Sequence, residues 1–184
     1  MSLLLTGSSG FLGKYLLQGV IARGYEVKLL SRSLLDSVAI KKQILVNDFK
    51  AISRSDDMFA DIDVVVHCAA RVHIMDDDSS NSLEAFREVN TCGTLNLAQQ
   101  AADAGVKRFI FISSIKVNGE STELGYPFKS DYFFIPTDPY GLSKYEAEVG
   151  LKKIEEQTGM EVVIIRPTLV YGPGVKANFA SLLK

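Results

Sequence analysis

Tyr140 and Lys144 stand four residues apart, a spacing that puts both side chains on one face of a helix. Such a pair suits proton transfer: an ammonium beside a phenol favours the phenolate and lowers its pKa toward neutrality. Earlier, Ser113-Ser114 closes an apolar run, and a hydroxyl there could hold a substrate oxygen between the two groups. A second constellation, Thr6-Gly7-Ser8-Ser9-Gly10-Phe11-Leu12-Gly13, follows the N-terminal apolar run directly. Gly7 suits a tight turn, Gly10 a close backbone approach to a pyrophosphate, and Gly13 close packing of helix on strand. The helix N-terminus opening there faces negative charge. Glycines alone can form a plain turn, but this position after a strand favours a dinucleotide loop.

Other candidates sit at the ends of later apolar runs. Ser31-Arg32-Ser33 offers a guanidinium where an acid would hold the ribose hydroxyls of NAD. An Arg there suits the 2′-phosphate of NADP, and the alternative is a solvated strand-end Arg. Asn47-Asp48-Phe49 places a carboxylate that could accept from an adenine amino group or cap a helix. In His67-Cys68-Ala69-Ala70 the small residues would let a dinucleotide lie against the backbone. His67 reads as a buried, hydrogen-bonded histidine and Cys68 as a small hydrophobe. His73 falls in a loop, and neither a metal site nor a Ser-His-Asp triad can be assembled from these residues.

Positioning these groups requires a scaffold, and the chain alternates short apolar runs with longer segments of helical period. That is the mark of a parallel sheet covered on both faces. Strands are expected at Ser2–Thr6, Glu26–Ser31, Gln43–Val46, Asp63–His67, Arg108–Ser113 and Glu161–Arg166. Helices are expected near Gly10–Arg23, Phe49–Phe59, Leu83–Ala104 and Tyr140–Thr158. Asn81 with Glu84 makes a capping box for the third, and Asp138-Pro139 starts the fourth. The expected fold is α/β, a doubly wound Rossmann sheet of order 3-2-1-4-5-6 with helices on both faces. Ligands of such sheets lie beyond the carboxyl ends of the strands, where every motif above falls.

Composition narrows the function. The net charge is −2, with 47% hydrophobic and 23% charged residues, and no Lys/Arg stripe suggests nucleic acid. The run Asp76-Asp77-Asp78 reads as a solvated loop rather than a metal site. Two cysteines without a paired framework suit a reducing compartment. With no basic leader and no apolar run near the roughly 20 residues of a membrane span, a cytoplasmic protein is expected.

On these motifs the chain resembles the extended short-chain dehydrogenase/reductases along its whole length. Thr6–Gly13 matches that family's TGxxGxxG, His67–Ala70 its HxAA and Tyr140–Lys144 its YxxxK. The resemblance implies that Ser114, in a segment like SSxxVYG, carries the catalytic hydroxyl beside Tyr140 and Lys144. It implies a helix Asn of the active-site tetrad at Asn90, and at Pro167 a residue backing the nicotinamide. Asn178 falls where sugar-nucleotide epimerases place an Asn on the substrate pyrophosphate. The finer likeness, in Ser113–Glu120 and Glu161–Asn178, is to the bacterial UDP-sugar 4-epimerase and 4-reductase branch of surface-polysaccharide synthesis.

Two departures qualify it. Asn118 replaces the usual Tyr of the substrate turn. Ser114-Ile115-Lys116 lacks the acid and base that nucleotide-sugar 4,6-dehydratases carry for elimination. The implied domains are an NAD(P)-binding domain over 1–174 and, at 175–184, the start of a substrate-binding region that is essentially missing. The implied reaction is hydride transfer at C4 of a UDP-sugar, as epimerase or 4-ketoreductase, with NAD or NADP, the latter favoured by Arg32. A non-catalytic dinucleotide-binding module should lack the Tyr or the Lys; a reductase of a non-sugar carbonyl is a further alternative. A homodimer pairing Leu83–Ala104 with Tyr140–Thr158 across a two-fold axis is possible, though core burial explains their apolar faces equally.

Overall fold

Leu3, Leu4 and Leu5 show how the sheet is built. Leu4 enters one core with Leu30, Val65, Phe109 and Phe111, while Leu3 and Leu5 enter another with Leu29, Val64 and Val66. Successive strand side chains point to opposite faces, so a strand covered on both faces needs an unbroken apolar run. The computed structural model describes residues 1–35, 42–53, 57–72, 82–131 and 134–175.

Strands β1 (Ser2–Thr6), β2 (Glu26–Ser31), β3 (Lys42–Leu45), β4 (Val64–His67), β5 (Arg108–Ile112) and β6 (Glu161–Ile165) form one sheet. Its order is β3-β2-β1-β4-β5-β6, with every pair parallel, as the alternation of runs implied. Helix α1 (Phe11–Ala22) covers one face through Leu17 and its neighbours. The other face is covered by α3 (Thr94–Asp103) and α4 (Pro139–Thr158), through Leu97, Ala98, Ala101, Ala147, Leu151 and Ile154. Asp138 caps α4 by accepting from the Gly141 amide at 2.9 Å, Pro139 opens it, and Gly159 ends it at φ 76°.

Two expected helices need correction. The segment Phe49–Phe59 gives two short 3₁₀ turns, Phe49–Ala51 and Asp57–Phe59, with residues 54–56 outside those described. The Asn96 amide collects the carbonyls of Phe49, Lys50 and Ile52 at 2.8, 3.2 and 2.9 Å, acceptors that a continuous helix would have used itself. The expected helix over Leu83–Ala104 is α2 (Ser82–Phe86), a π-helical stretch over Arg87–Gly93, and α3. π-Bulges mark places where a side chain departs from the regular ladder, and Asn90 lies inside this one. Asn81, His73 and Asp76–Asp78 lie outside the described residues.

Candidate active site

Beyond the carboxyl ends of β1 to β4 lies a cavity of about 350 Å³. Gly7, Ser9 and Gly10 form one wall, Ser31, Arg32 and Asn47 to Phe49 another, and Cys68 to Val72 the floor. The π-helical stretch closes it with Glu88, Val89 and Gly93. Among the expected cofactor residues, Phe11, Leu12, Gly13, Asn90, Tyr140, Lys144 and Pro167 do not line this space; Phe11 packs edge-on against Tyr15 instead.

The glycines are dictated by contact. Gly7 adopts φ +70°, and a Cβ there would come within 2.5 Å of the Ala69 amide nitrogen. A Cβ on Gly13 would collide with the Gly7 carbonyl and its neighbouring backbone. Thus Gly13 packs against the glycine turn itself rather than the strand, and the turn in turn packs on Ala69. No side chain caps α1 and its first turn has no acid, so its N-terminal dipole is available to an anion. Ser8 is buried, and its hydroxyl has no hydrogen-bond partner among the described residues. A cramped glycine turn, an uncapped helix start and an orphaned hydroxyl beside this cavity fit the pyrophosphate of a dinucleotide.

The floor is held from behind. His67 is fully buried, with Nδ1 2.7 Å from Thr6 Oγ1 and Nε2 2.9 Å from Thr94 Oγ1. Burial pushes its pKa down to about 3, so it is a neutral structural histidine. The same Thr6 hydroxyl accepts from the Ala69 amide at 3.1 Å. Burial also raises the Cys68 thiol to about 11, which removes it as a nucleophile. Asn90 is fully buried and its amide is committed: it accepts from Arg71 N at 2.8 Å and donates to Arg71 O and Ser143 Oγ, both at 3.0 Å. Its side chain therefore braces the loop after β4. Asp48 accepts from the Lys50 amide at 2.8 Å, which realises the capping alternative, while the residue still lines the cavity.

At the carboxyl end of β5 the two serines divide. Ser113 is buried and donates to Glu148, whereas Ser114 is half-buried, accepts from the Lys116 amide at 3.3 Å and acts on the nearby Tyr140 phenol. The Tyr140 ring packs edge-on against Phe86, 6.0 Å between centroids. The expectation that Lys144 lowers the phenol pKa needs correction. Burial raises it, the Ser114 hydroxyl opposes that, and Asp138 adds to the rise. Lys144 Nζ instead donates to the Ile112 carbonyl at 2.9 Å and lies 4.5 Å from the centre of the Phe111 ring. Its own pKa falls to about 8, chiefly through burial. Tyr140 is thus a protonated donor at neutral pH, beside a serine hydroxyl.

Pro167 accepts from the Ile115 amide at 3.0 Å, which joins the end of β6 to the turn carrying Ser114. Asn118, the departure from the substrate-turn pattern, is buried; it accepts from Arg166 Nη1 at 3.0 Å and donates to the Lys129 carbonyl at 2.9 Å. Asn178 lies outside the described residues. Residues the sequence did not single out include Arg71, whose only signal is its place directly after Ala69-Ala70, and Glu148. Among the described residues no cluster of potential metal ligands occurs, and no helix is long and apolar enough to cross a membrane.

Residues 3–183 match the model of the NAD dependent epimerase/dehydratase family. The chain is 53% identical over its whole length to a UDP-glucose 4-epimerase of Vibrio cholerae, of which it covers 56%. It is 32% identical over its whole length to an Escherichia coli O157:H7 N-acetyl-alpha-D-glucosaminyl-diphospho-ditrans,octacis-undecaprenol 4-epimerase, of which it covers 53%. The chain therefore spans about half the length of these curated relatives. Among solved structures it resembles MoeE5 in complex with UDP-glucuronic acid and NAD, with TM-score 0.83 and 26% identity, over all of this chain and 60% of that one.

Proposed function

We propose that this chain, which belongs to the NAD dependent epimerase/dehydratase family, is the dinucleotide-binding and proton-transfer part of a UDP-sugar 4-epimerase. The observation that carries the reading is the glycine-walled cavity at the carboxyl end of the sheet, with its uncapped helix start and unpartnered Ser8 hydroxyl, at the same sheet end as Ser114 and Tyr140. Likeness to a 4-epimerase across the whole chain supports the choice of reaction and of a UDP-linked hexose. Likeness to a lipid-linked sugar 4-epimerase fits a role in surface-polysaccharide precursors.

The glycine turn, Arg32, Asp48, Phe49, Ala69 and Ala70 would hold the dinucleotide, with Pro167 behind the nicotinamide and Lys144 at its ribose. When bound, that cofactor would accept hydride from the sugar C4 and return it. With its own proton first lost to solvent, Tyr140 would take the C4 hydroxyl proton as hydride leaves and give it back when hydride returns. Its raised pKa favours the donating direction, and Ser114 holds the same sugar oxygen and strengthens its bond as negative charge develops there. Ser114-Ile115-Lys116 supplies no carboxylate for elimination, which argues for simple oxidation and reduction. Residues 1–174 form the nucleotide domain in this reading, and 175–184, with Asn178 on the substrate pyrophosphate, begin the substrate-binding region.

One observation favours a second reading. Arg32 is exposed on the cavity wall at the end of β2, in a segment (Ser31-Arg32-Ser33) without an acid. That suits NADP, and a 4-ketoreductase that consumes NADPH would need it. The experiment is incubation of the native protein with UDP-glucose, then with a UDP-4-keto sugar and either reduced dinucleotide. An epimerase yields a C4-epimeric mixture without net consumption of dinucleotide; a reductase consumes it in proportion to product. Neither outcome with any UDP-hexose would overturn both readings.

A further inference from the structure

The carboxylate of Glu148 sits where three separate segments meet. It lies on α4, one turn beyond Lys144, and is only 3% exposed. Ser113 of the β5 end donates to its Oε1. Arg166, just past β6, donates Nε to Oε1 at 3.0 Å and Nη2 to Oε2 at 2.6 Å. The same guanidinium reaches Asn118 Oδ1 at 3.0 Å and the Ser130 carbonyl at 3.3 Å, and so grips the turn that follows Ser114. The segments so joined are the helix that carries Tyr140, the strand end that carries Ser114, and the strand end that carries Pro167.

A buried ion pair is a poor means of gaining stability, because desolvating both charges offsets much of their attraction. What it provides is geometry. A bidentate guanidinium and a hydroxyl donor accept only one orientation of the carboxylate. The residues that flank Ser114 along the chain, Ser113 before it and Asn118 after it, are both tied to that orientation, Asn118 through Arg166.

We propose that Glu148 is a positioning residue that, through Ser113, Arg166 and Asn118, sets the Ser114 hydroxyl against Tyr140. The inference rests on the reading of Ser114 and Tyr140 as the proton-transfer pair. Glu148 touches neither substrate nor cofactor; it determines where the hydroxyl stands. Its charge also acts on Lys144 directly, opposing the fall that burial imposes on that ammonium's pKa, so the two effects must be separated. Ser113→Ala does this, since it releases the strand end while leaving the charge in place.

The test compares Glu148→Gln and Ser113→Ala with Glu161→Gln in the native protein. Glu161 pairs with Arg108 at the exposed amino ends of the same two strands and is the control ion pair. Two quantities are read: the titration of Tyr140, from ring-carbon-labelled tyrosine NMR assigned with Tyr140→Phe, and kcat and KM for UDP-glucose. The groups near the Tyr140 phenol are Ser114, which lowers its pKa, Asp138 at the helix cap, which raises it, and Lys144 one turn on, so displacement of the Ser114 hydroxyl raises its pKa.

Glu148→Gln and Ser113→Ala should both raise the Tyr140 titration. Each should lower kcat, by about ten- to hundredfold for Glu148→Gln, with KM and dinucleotide affinity within about threefold of the parent. Glu161→Gln should move neither. If Glu148→Gln does not fold, Ser113→Ala carries the test alone. An unmoved Tyr140 titration and unchanged kcat in folded Ser113→Ala would overturn the inference. If the parent turns over no UDP-sugar yet both variants shift the Tyr140 titration, the proposed reaction fails while the positioning role stands.

Discussion

Gly13 offers a sharp test of the dinucleotide reading, because its environment is entirely backbone. A Cβ added there would overlap the Gly7 carbonyl, with the Gly7 carbonyl carbon at 2.8 Å and Ser8 Cα at 3.0 Å. Restoring an ordinary contact requires the turn to retreat by about 1 Å, as interiors packed at crystal density leave no slack. The turn cannot retreat freely, since Gly7 already lies against the backbone of Cys68 and Ala69. Overpacking of this kind costs about 1–3 kcal/mol. For a chain of this size that corresponds to a Tm lower by roughly 2–12 °C. Dinucleotide affinity should suffer separately, since a displaced turn no longer presents its amides to a pyrophosphate; a loss of at least about tenfold, or 1.4 kcal/mol, is expected. Gly24→Ala is the control. Gly24 shares the positive φ, at +77°, but a Cβ there meets nothing within 4 Å. It should lose about 1 kcal/mol of stability and no affinity. Thermal melting with a fluorescence titration of NADH and NADPH reads both quantities. Gly13→Ala with parental affinity for both would refute the placement of the pyrophosphate at this turn.

Other predictions address the remaining parts of the site. Tyr140→Phe should cut kcat on UDP-glucose by about 10²–10⁴ and leave dinucleotide affinity near the parent, since the ring and its packing stay; a near-normal kcat in steady-state assay would reject the assignment. If Arg32 meets a 2′-phosphate, Arg32→Asp should reverse a preference for NADPH over NADH by roughly ten- to hundredfold, and equal affinities in both proteins would exclude that contact. His67 should produce a pH-dependent stability. Its folded pKa, about 3, lies below its unfolded value, so the unfolded chain binds the extra proton. Stability is therefore complete above about pH 6.5 and falls as the pH drops from there toward 3, at up to about 1.4 kcal/mol per unit. Chemical denaturation of the parent and of His67→Gln at pH 7, 6 and 5 should give a steeper decline for the parent; parallel lines would disprove the depressed pKa.

Much of this arrangement could be read from order alone, for a physical reason. Strands buried on both faces must be apolar along their buried length, so Leu3–Leu5 and Val64–Val66 stand out as runs, and their alternation with helical segments leaves little choice of topology. Helix interiors were harder. The stretch around Asn90 has ordinary helical spacing, and its widening into a π-turn coincides with an amide bonded to Arg71, nineteen residues earlier. The turns after Asp48 depend likewise on Asn96, whose three carbonyl partners lie 44 to 47 residues before it. Long-range partners of this sort leave no local trace.

The same distinction separates what spacing could and could not say about the Tyr140–Lys144 pair. An interval of four does place both residues on one helix face, but not which groups each one meets. Lys144 is turned under the sheet end to the Ile112 carbonyl, where burial brings its pKa to about 8. Tyr140 meets Ser114. Glu148 shows the limit most clearly. On a helix that also carries Glu146, Lys152, Lys153, Glu155 and Glu156, one more acid reads as solvated surface. Its burial follows from Arg166, eighteen residues later, and Ser113, thirty-five earlier, which reach it from strands on the sheet beneath. A buried acid can exist there only because both donors arrive together. Removal of the Ser113 hydroxyl, which leaves the Arg166 pair in place, should therefore be felt at Tyr140, at the far end of the chain of contacts, before it is felt in the sheet.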